Sequence, residues 1–127
     1  MAQSLMTILG ILAITSTVHS APAPNGILIR DHSSRLCVVM KNSQATVYYN
    51  RDGMGIDRIL GPIQVAIEVK NNQQVISSSD KKFLFFKDAP GISSQNVLRM
   101  DQDDGTTSTF DYIVSAQQCP FSIEGVR

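Results

Sequence analysis

The sequence predicts a small domain built mainly of β-strands and held by one disulfide, with a single segment open between helix and strand. Three observations carry this reading. Ile63, Val65, Ile67 and Val69 alternate with Gln64, Ala66, Glu68 and Lys70, the period of a strand with one buried face. Phe110, Tyr112 and Val114 alternate with Asp111 and Ser115 in the same way. The only two cysteines, Cys37 and Cys119, stand near the two ends of the domain. Whether the fold is α+β, with one short helix packed on a curved antiparallel sheet, or an all-β sandwich turns on residues 43–51.

Residues 1–20 carry no Asp, Glu, Lys or Arg and have an apolar core over positions 5–14. That run is too short to span a bilayer comfortably and is followed by small residues. It predicts a secretory signal peptide over 1–20, and no membrane association once it is removed. Residues 21–26 are rich in proline and glycine and are expected as a disordered arm, leaving 27–127 as one domain. Eleven basic and eleven acidic residues balance to zero. Such a chain has no electrostatic hold on nucleic acid or an anionic surface, although RNA contact through Lys81, Lys82 and Lys87 stays open. In an oxidising compartment Cys37 and Cys119 are expected to pair, closing a loop of about eighty residues worth roughly 4–5 kcal/mol. Two cysteines and one histidine outside the signal are too few ligands for zinc, and no metal or cofactor is expected.

Along the domain, 27–29 reads as an edge strand and 36–40 as a strand rich in β-branched residues. Residues 43–51 are ambiguous. Thr46, Val47, Tyr48 and Tyr49 favour strand, yet Ser43 could cap a short helix with Arg51 in its last turn and Gly53 beyond it. Gly53-Met54-Gly55 is a loop, and 57–60 suggests one helical turn before Gly61-Pro62 interrupts it. Ile63–Val69 is the central strand, followed by strands at Val75-Ile76 and Phe83–Phe86. The latter is an apolar run expected to be buried on both faces, with Lys81-Lys82 and Lys87-Asp88 as charged flanks. Pro90-Gly91 turns the chain into a closing hairpin of 97–100 and 110–114, whose Asp104-Gly105 pair suits a turn needing φ > 0.

The inventory for catalysis is poor. His19 falls within the signal segment, which leaves His32 in a polar loop, and no G-x-S-x-G spacing occurs. Asp101, Asp103 and Asp104 lack the twelve-residue loop and terminal glutamate of a calcium site. Glu68 is the sole candidate general base, and its position suits the polar face of a sheet. No Asn-x-Ser/Thr glycosylation pattern is present. Recognition is instead expected on loops, which can vary without disturbing a core. Residues 50–57 and 101–107 are the candidates, with Met54, Asp103 and Asp104 as partner-binding residues.

The second half of the chain resembles the small secreted fungal ribonucleases that cleave after guanine. The likeness lies in Val75-Ile76-Ser77-Ser78-Ser79-Asp80, Ala89-Pro90-Gly91, Val97-Leu98-Arg99-Met100, the stretch 110–115 and Cys119-Pro120-Phe121. It implies the α+β fold, with 43–51 as the helix and a cysteine pair joining the two ends. The family's catalytic pattern is not kept. Pro62 fits its proline, but Ile63 stands where a histidine would be, Ser115 near the second histidine and Asn96 near the arginine. Glu68 lies close to the expected glutamate without falling on it. The chemistry needs one group to take a proton and another to give one, and that pair is missing.

A shell without its catalytic residues is similar to the ribonuclease-like secreted effectors of plant-pathogenic fungi. Cys37-Val38-Val39 followed by Ala45-Thr46-Val47-Tyr48-Tyr49 also resembles the opening strands of the all-β MAX effectors, although Cys119 comes later than the second cysteine of that group. Either resemblance implies a secreted, monomeric, non-catalytic module that binds a host protein, outside the host cell or after delivery into it. A secreted ribonuclease with atypical catalytic residues is the alternative.

Overall fold

The computed structural model describes residues 19–91 and 94–127, so the predicted signal peptide up to residue 18 lies outside the described part. Ten strands follow one another: β1 (His19–Pro22), β2 (Gly26–Arg30), β3 (Leu36–Lys41), β4 (Gln44–Arg51), β5 (Gly55–Lys70), β6 (Gln73–Ser78), β7 (Phe83–Phe86), β8 (Val97–Asp101), β9 (Thr107–Phe110) and β10 (Ile113–Ala116). No helix occurs among the described residues. The fold is all-β, which corrects the α+β expectation.

Every pairing is antiparallel, in the order β10-β2-β3-β4-β5-β6-β7-β8-β9, with β1 added against β5. The sixteen residues of β5 make this arrangement possible. Its first part pairs with β4, while its last part pairs with β6 on one side and β1 on the other. The sheet therefore folds over along one strand. Leu36, Val38 and Val47 from one half and Ile76, Phe83, Leu98 and Met100 from the other fill a common core. Asn96 ties the open ends together. Its Nδ2 donates to the Ile113 carbonyl at 2.9 Å, its Oδ1 accepts the Asp88 N–H at 2.9 Å, and its own carbonyl accepts the Ile113 N–H at 3.3 Å. The result is a nearly closed sheet.

The segment 43–51 is strand for a definite reason. Asn42 and Ser43 both have positive φ, 54° and 61°, between the paired residues Lys41 and Gln44. That is the two-residue turn with both central residues left-handed, which matches the twist of a hairpin. An N-cap residue needs an extended backbone, so Ser43 cannot start a helix in this conformation. Ala45 and Val47 are then fully buried, and Tyr49 packs against the core in the same alternation. Propensity and turn geometry agree here, and the helix-cap reading of Ser43 fails. Ser43→Gly is expected to stabilise the protein by about 0.5 kcal/mol, since glycine adopts φ > 0 without a Cβ clash. Chemical denaturation measures it; at a helix cap the same change would instead cost a few tenths of a kcal/mol.

Three further expectations are corrected. Residues 27–29 do not form an edge strand, because β2 lies between β10 and β3. Phe83 and Phe85 are buried, but Leu84 and Phe86 are only partly so, and the run has one inner face. Residues 57–60 are part of β5, which continues through the bulge at Gly61 and the cis Gly61–Pro62 peptide.

The last strand is broken in two. Tyr112 takes φ 56° between β9 and β10, and this turns Ile113 inward (1% exposed) while Tyr112 and Val114 face out at 50% and 37%. The alternation read over 110–114 therefore slips by one residue after Phe110. Residues 21–26, expected as an arm, place Ala21 and Pro22 in β1, Gly26 in β2, and Ala23 in the core. Cys37, fully buried on β3, is bonded to Cys119 beyond β10, with Cα atoms 5.6 Å apart.

Candidate functional site

The turns at one end of the sheet gather arginines. β2 ends at Arg30, and the turn to β3 returns beside the end of β4, where the Asn50 N–H donates to the Arg35 carbonyl at 2.7 Å. The β4–β5 hairpin then closes over Asp52 and Gly53, with the Met54 N–H on the Arg51 carbonyl at 2.9 Å and Gly53 at φ 70°. A positive φ at the third position is what glycine supplies to such a turn. Met54 stands at its tip, 79% exposed. The turn between β8 and β9 reaches the same hairpin from the other half of the sheet, where the Asp103 N–H donates to the Ile59 carbonyl at 2.9 Å.

Four arginine–aspartate pairs lie here: Arg30–Asp111 at 2.8 Å, Arg35–Asp52, Arg51–Asp57, and Arg58–Asp103 at 3.8 Å. Half-exposed pairs of this kind contribute only about 0.2–1 kcal/mol each. What they do is fix long side chains. Two of the arginines also stack on rings. The Arg51 guanidinium lies 5.8 Å from the centre of Tyr49, Tyr49 lies 6.2 Å from Phe110, and the Arg30 guanidinium lies 5.8 Å from Phe110. A ladder of arginine, tyrosine, phenylalanine and arginine thus links β4, β9 and β2, with Asp57 and Asp111 holding its ends. Beside it, Tyr112 meets His32 edge-on at 6.2 Å, and its carbonyl accepts the Asp31 N–H at 2.7 Å.

The acidic turn is shaped by its own backbone. The Asp104 carboxylate accepts the Thr106 N–H at 2.9 Å; this bond and the Thr106 hydroxyl hold its pKa below the ordinary value, with the Arg51 charge adding to the effect. A shallow cleft of about 420 Å³ lies between Arg51, Arg58, Asp103, Asp104 and Arg127.

Of the residues expected to bind a partner, Asp103 and Asp104 border this cleft, while Met54 crowns the hairpin whose base carries Arg51 and Asp57. Arg30, Arg58, Asp111 and Tyr112 were not singled out. Arg30 and Asp111 are 81 residues apart, and no local pattern announces such a pair. The positions matched to the ribonuclease pattern do not converge through the sheet. Ile63 and Glu68 lie on β5, Ser115 lies on β10 opposite Leu28, and Asn96 is the residue that closes the sheet. Glu68 instead borders a groove with Gln64, Ser77, Ser79 and Lys81. Among the described residues, no group of three or more His, Cys, Asp or Glu side chains is placed to hold a metal ion. Compared with known proteins, no family, no curated protein and no solved structure matches the chain.

Proposed function

We propose that this protein is a secreted, non-catalytic binding module of the effector kind, which engages a host protein through its arginine-rich end. The observation that carries the reading is the concentration of four ordered arginines with exposed Met54 and Tyr112 on one set of turns. Arginine, tyrosine and methionine are the residue types over-represented where proteins bind one another, because they combine contact area with directed hydrogen bonding. The aspartates keep each guanidinium oriented before a partner arrives, which lowers the ordering cost of association. The disulfide between Cys37 and Cys119 supports secretion, since such bonds persist in oxidising compartments.

The test is capture from plant leaf extract with the disulfide-intact protein, comparing the natural chain with a Met54→Ala/Tyr112→Ala variant and an Asp103→Ala/Asp104→Ala variant. All four positions are exposed, so folding should be kept. A host protein retained by the natural chain and weakened at least tenfold by the first variant is the expected result. Equal retention by all three proteins would move the interface off this end. A parallel assay should find no turnover of single-stranded RNA; cleavage that disappears on Glu68→Gln would favour the ribonuclease alternative.

A further inference from the structure

A second site lies away from the four aspartate-paired arginines, at the hairpin between β5 and β6. Asn71 and Asn72 form its tip with φ 53° and 62°, and Gln73 and Gln74 open β6. Four consecutive carboxamides therefore stand on one hairpin. They border a groove of about 890 Å³ whose opposite wall is Phe86, Lys87 and Pro90. The Lys87 N–H donates to the Gln74 carbonyl at 3.1 Å, which holds the two walls together. Phe86 is partly exposed, with the Arg99 guanidinium 5.6 Å from its ring centre.

One atom of this wall is out of place energetically. The Nε2 of Gln73 is shielded from solvent and has no hydrogen-bond partner. Buried donors are almost always paired, and an exception calls for an explanation. Gln73 itself lines the groove, and an acceptor on a bound molecule would supply the missing partner.

We infer that the groove binds a neutral oligosaccharide. Carboxamides both donate and accept hydrogen bonds, as sugar hydroxyls do, and carry no charge. The part of the Phe86 ring that lines the groove and is not covered by Arg99 offers an apolar surface to the C–H face of a sugar ring. The groove carries Lys70 and Lys87 against Asp88, so inorganic phosphate is the competing ligand that the test has to separate from a neutral sugar. The groove shares no residue with the arginine-rich end, so failure here leaves the proposed function standing, and the converse holds.

The experiment is an NMR titration of the isotope-labelled, disulfide-intact protein with cellohexaose, with laminarihexaose and with inorganic phosphate. Saturable shifts of the Gln73 side-chain amide and of the Gln74 and Lys87 backbone amides are expected with at least one oligosaccharide. Gln73→Glu, which keeps shape and loses the donor, should weaken that binding about tenfold, and Phe86→Leu should weaken it in a chain whose spectrum remains dispersed. No saturable shift with either sugar, a response to phosphate alone, or unchanged binding by Gln73→Glu would each overturn the inference.

Discussion

Replacing Gly61 by alanine is expected to cost about 2–5 kcal/mol. Gly61 sits in the bulge of β5 at φ 94°, and a Cβ built there would lie 2.4 Å from the carbonyl oxygen of Ala45 and 3.2 Å from the Cα of Thr46. Two penalties add. A left-handed backbone costs an L-residue roughly 1–2 kcal/mol, and forcing a packed strand to move typically costs another 1–3 kcal/mol. The obstacle is backbone rather than a flexible side chain, so it cannot swing aside. β4 would have to shift, and its buried Ala45 and Val47 would shift with it. A denaturant titration would show a lower midpoint with an unchanged slope. A loss under about 1 kcal/mol would mean that the close approach of β4 and β5 is not maintained in solution. Gly53→Ala is the control. It has a comparable φ of 70° but open space around it, so only the backbone penalty should remain.

Removing the disulfide is expected to cost about 4–5 kcal/mol, the chain-entropy value for a bond spanning 82 residues. Against a usual stability of about 5–15 kcal/mol, that is a large share of the total. The double substitution Cys37→Ala/Cys119→Ala is the cleaner variant, because a serine at position 37 would bury an unpaired hydroxyl in a fully enclosed site. The effect should also have a location. Beyond β10 no residue takes part in a strand, and Cys119 is the covalent tie of that tail to β3. Hydrogen exchange in the double variant should rise throughout residues 117–127 as well as globally. Two titratable thiols in the natural protein would remove the basis of this prediction.

Much of the strand content was legible because it is written in local alternation. Ile63, Val65 and Ile67 do line the inner side of β5 as their spacing predicted, although Val69 at its end is 42% exposed. Val97–Asp101 is likewise a strand, and Gly105 takes φ 89° in the turn that follows it. The helix expected at 43–51 is instead strand β4. Thr46, Val47, Tyr48 and Tyr49 favour strand, and only the resemblance to the ribonucleases outweighed them. Asn42 and Ser43, adopting left-handed conformations together, decided the matter in favour of propensity.

The candidate site was only half legible. Loops carrying Met54 and Asp103 could be marked as recognition elements from their composition. Their neighbours could not, because Arg30, Tyr49 and Phe110 meet only when the sheet folds over along β5. The slip at Tyr112 was hidden for a related reason. A single left-handed residue reverses the inward and outward phases of a strand, and the contacts around it, Tyr112 with Asp31 and Asn96 with Ile113, join residues far apart in the chain.

By itself the sequence determined several of the strand-forming segments, the balanced charge and the two cysteines available to pair, since each depends on residue type and short spacing. The tertiary structure alone decided that the sheet nearly closes, that four arginines collect at one end, and that the Gln73 amide lies without a partner beside a groove. Those outcomes depend on contacts between residues far apart in the chain, where alternation carries no information about which faces meet.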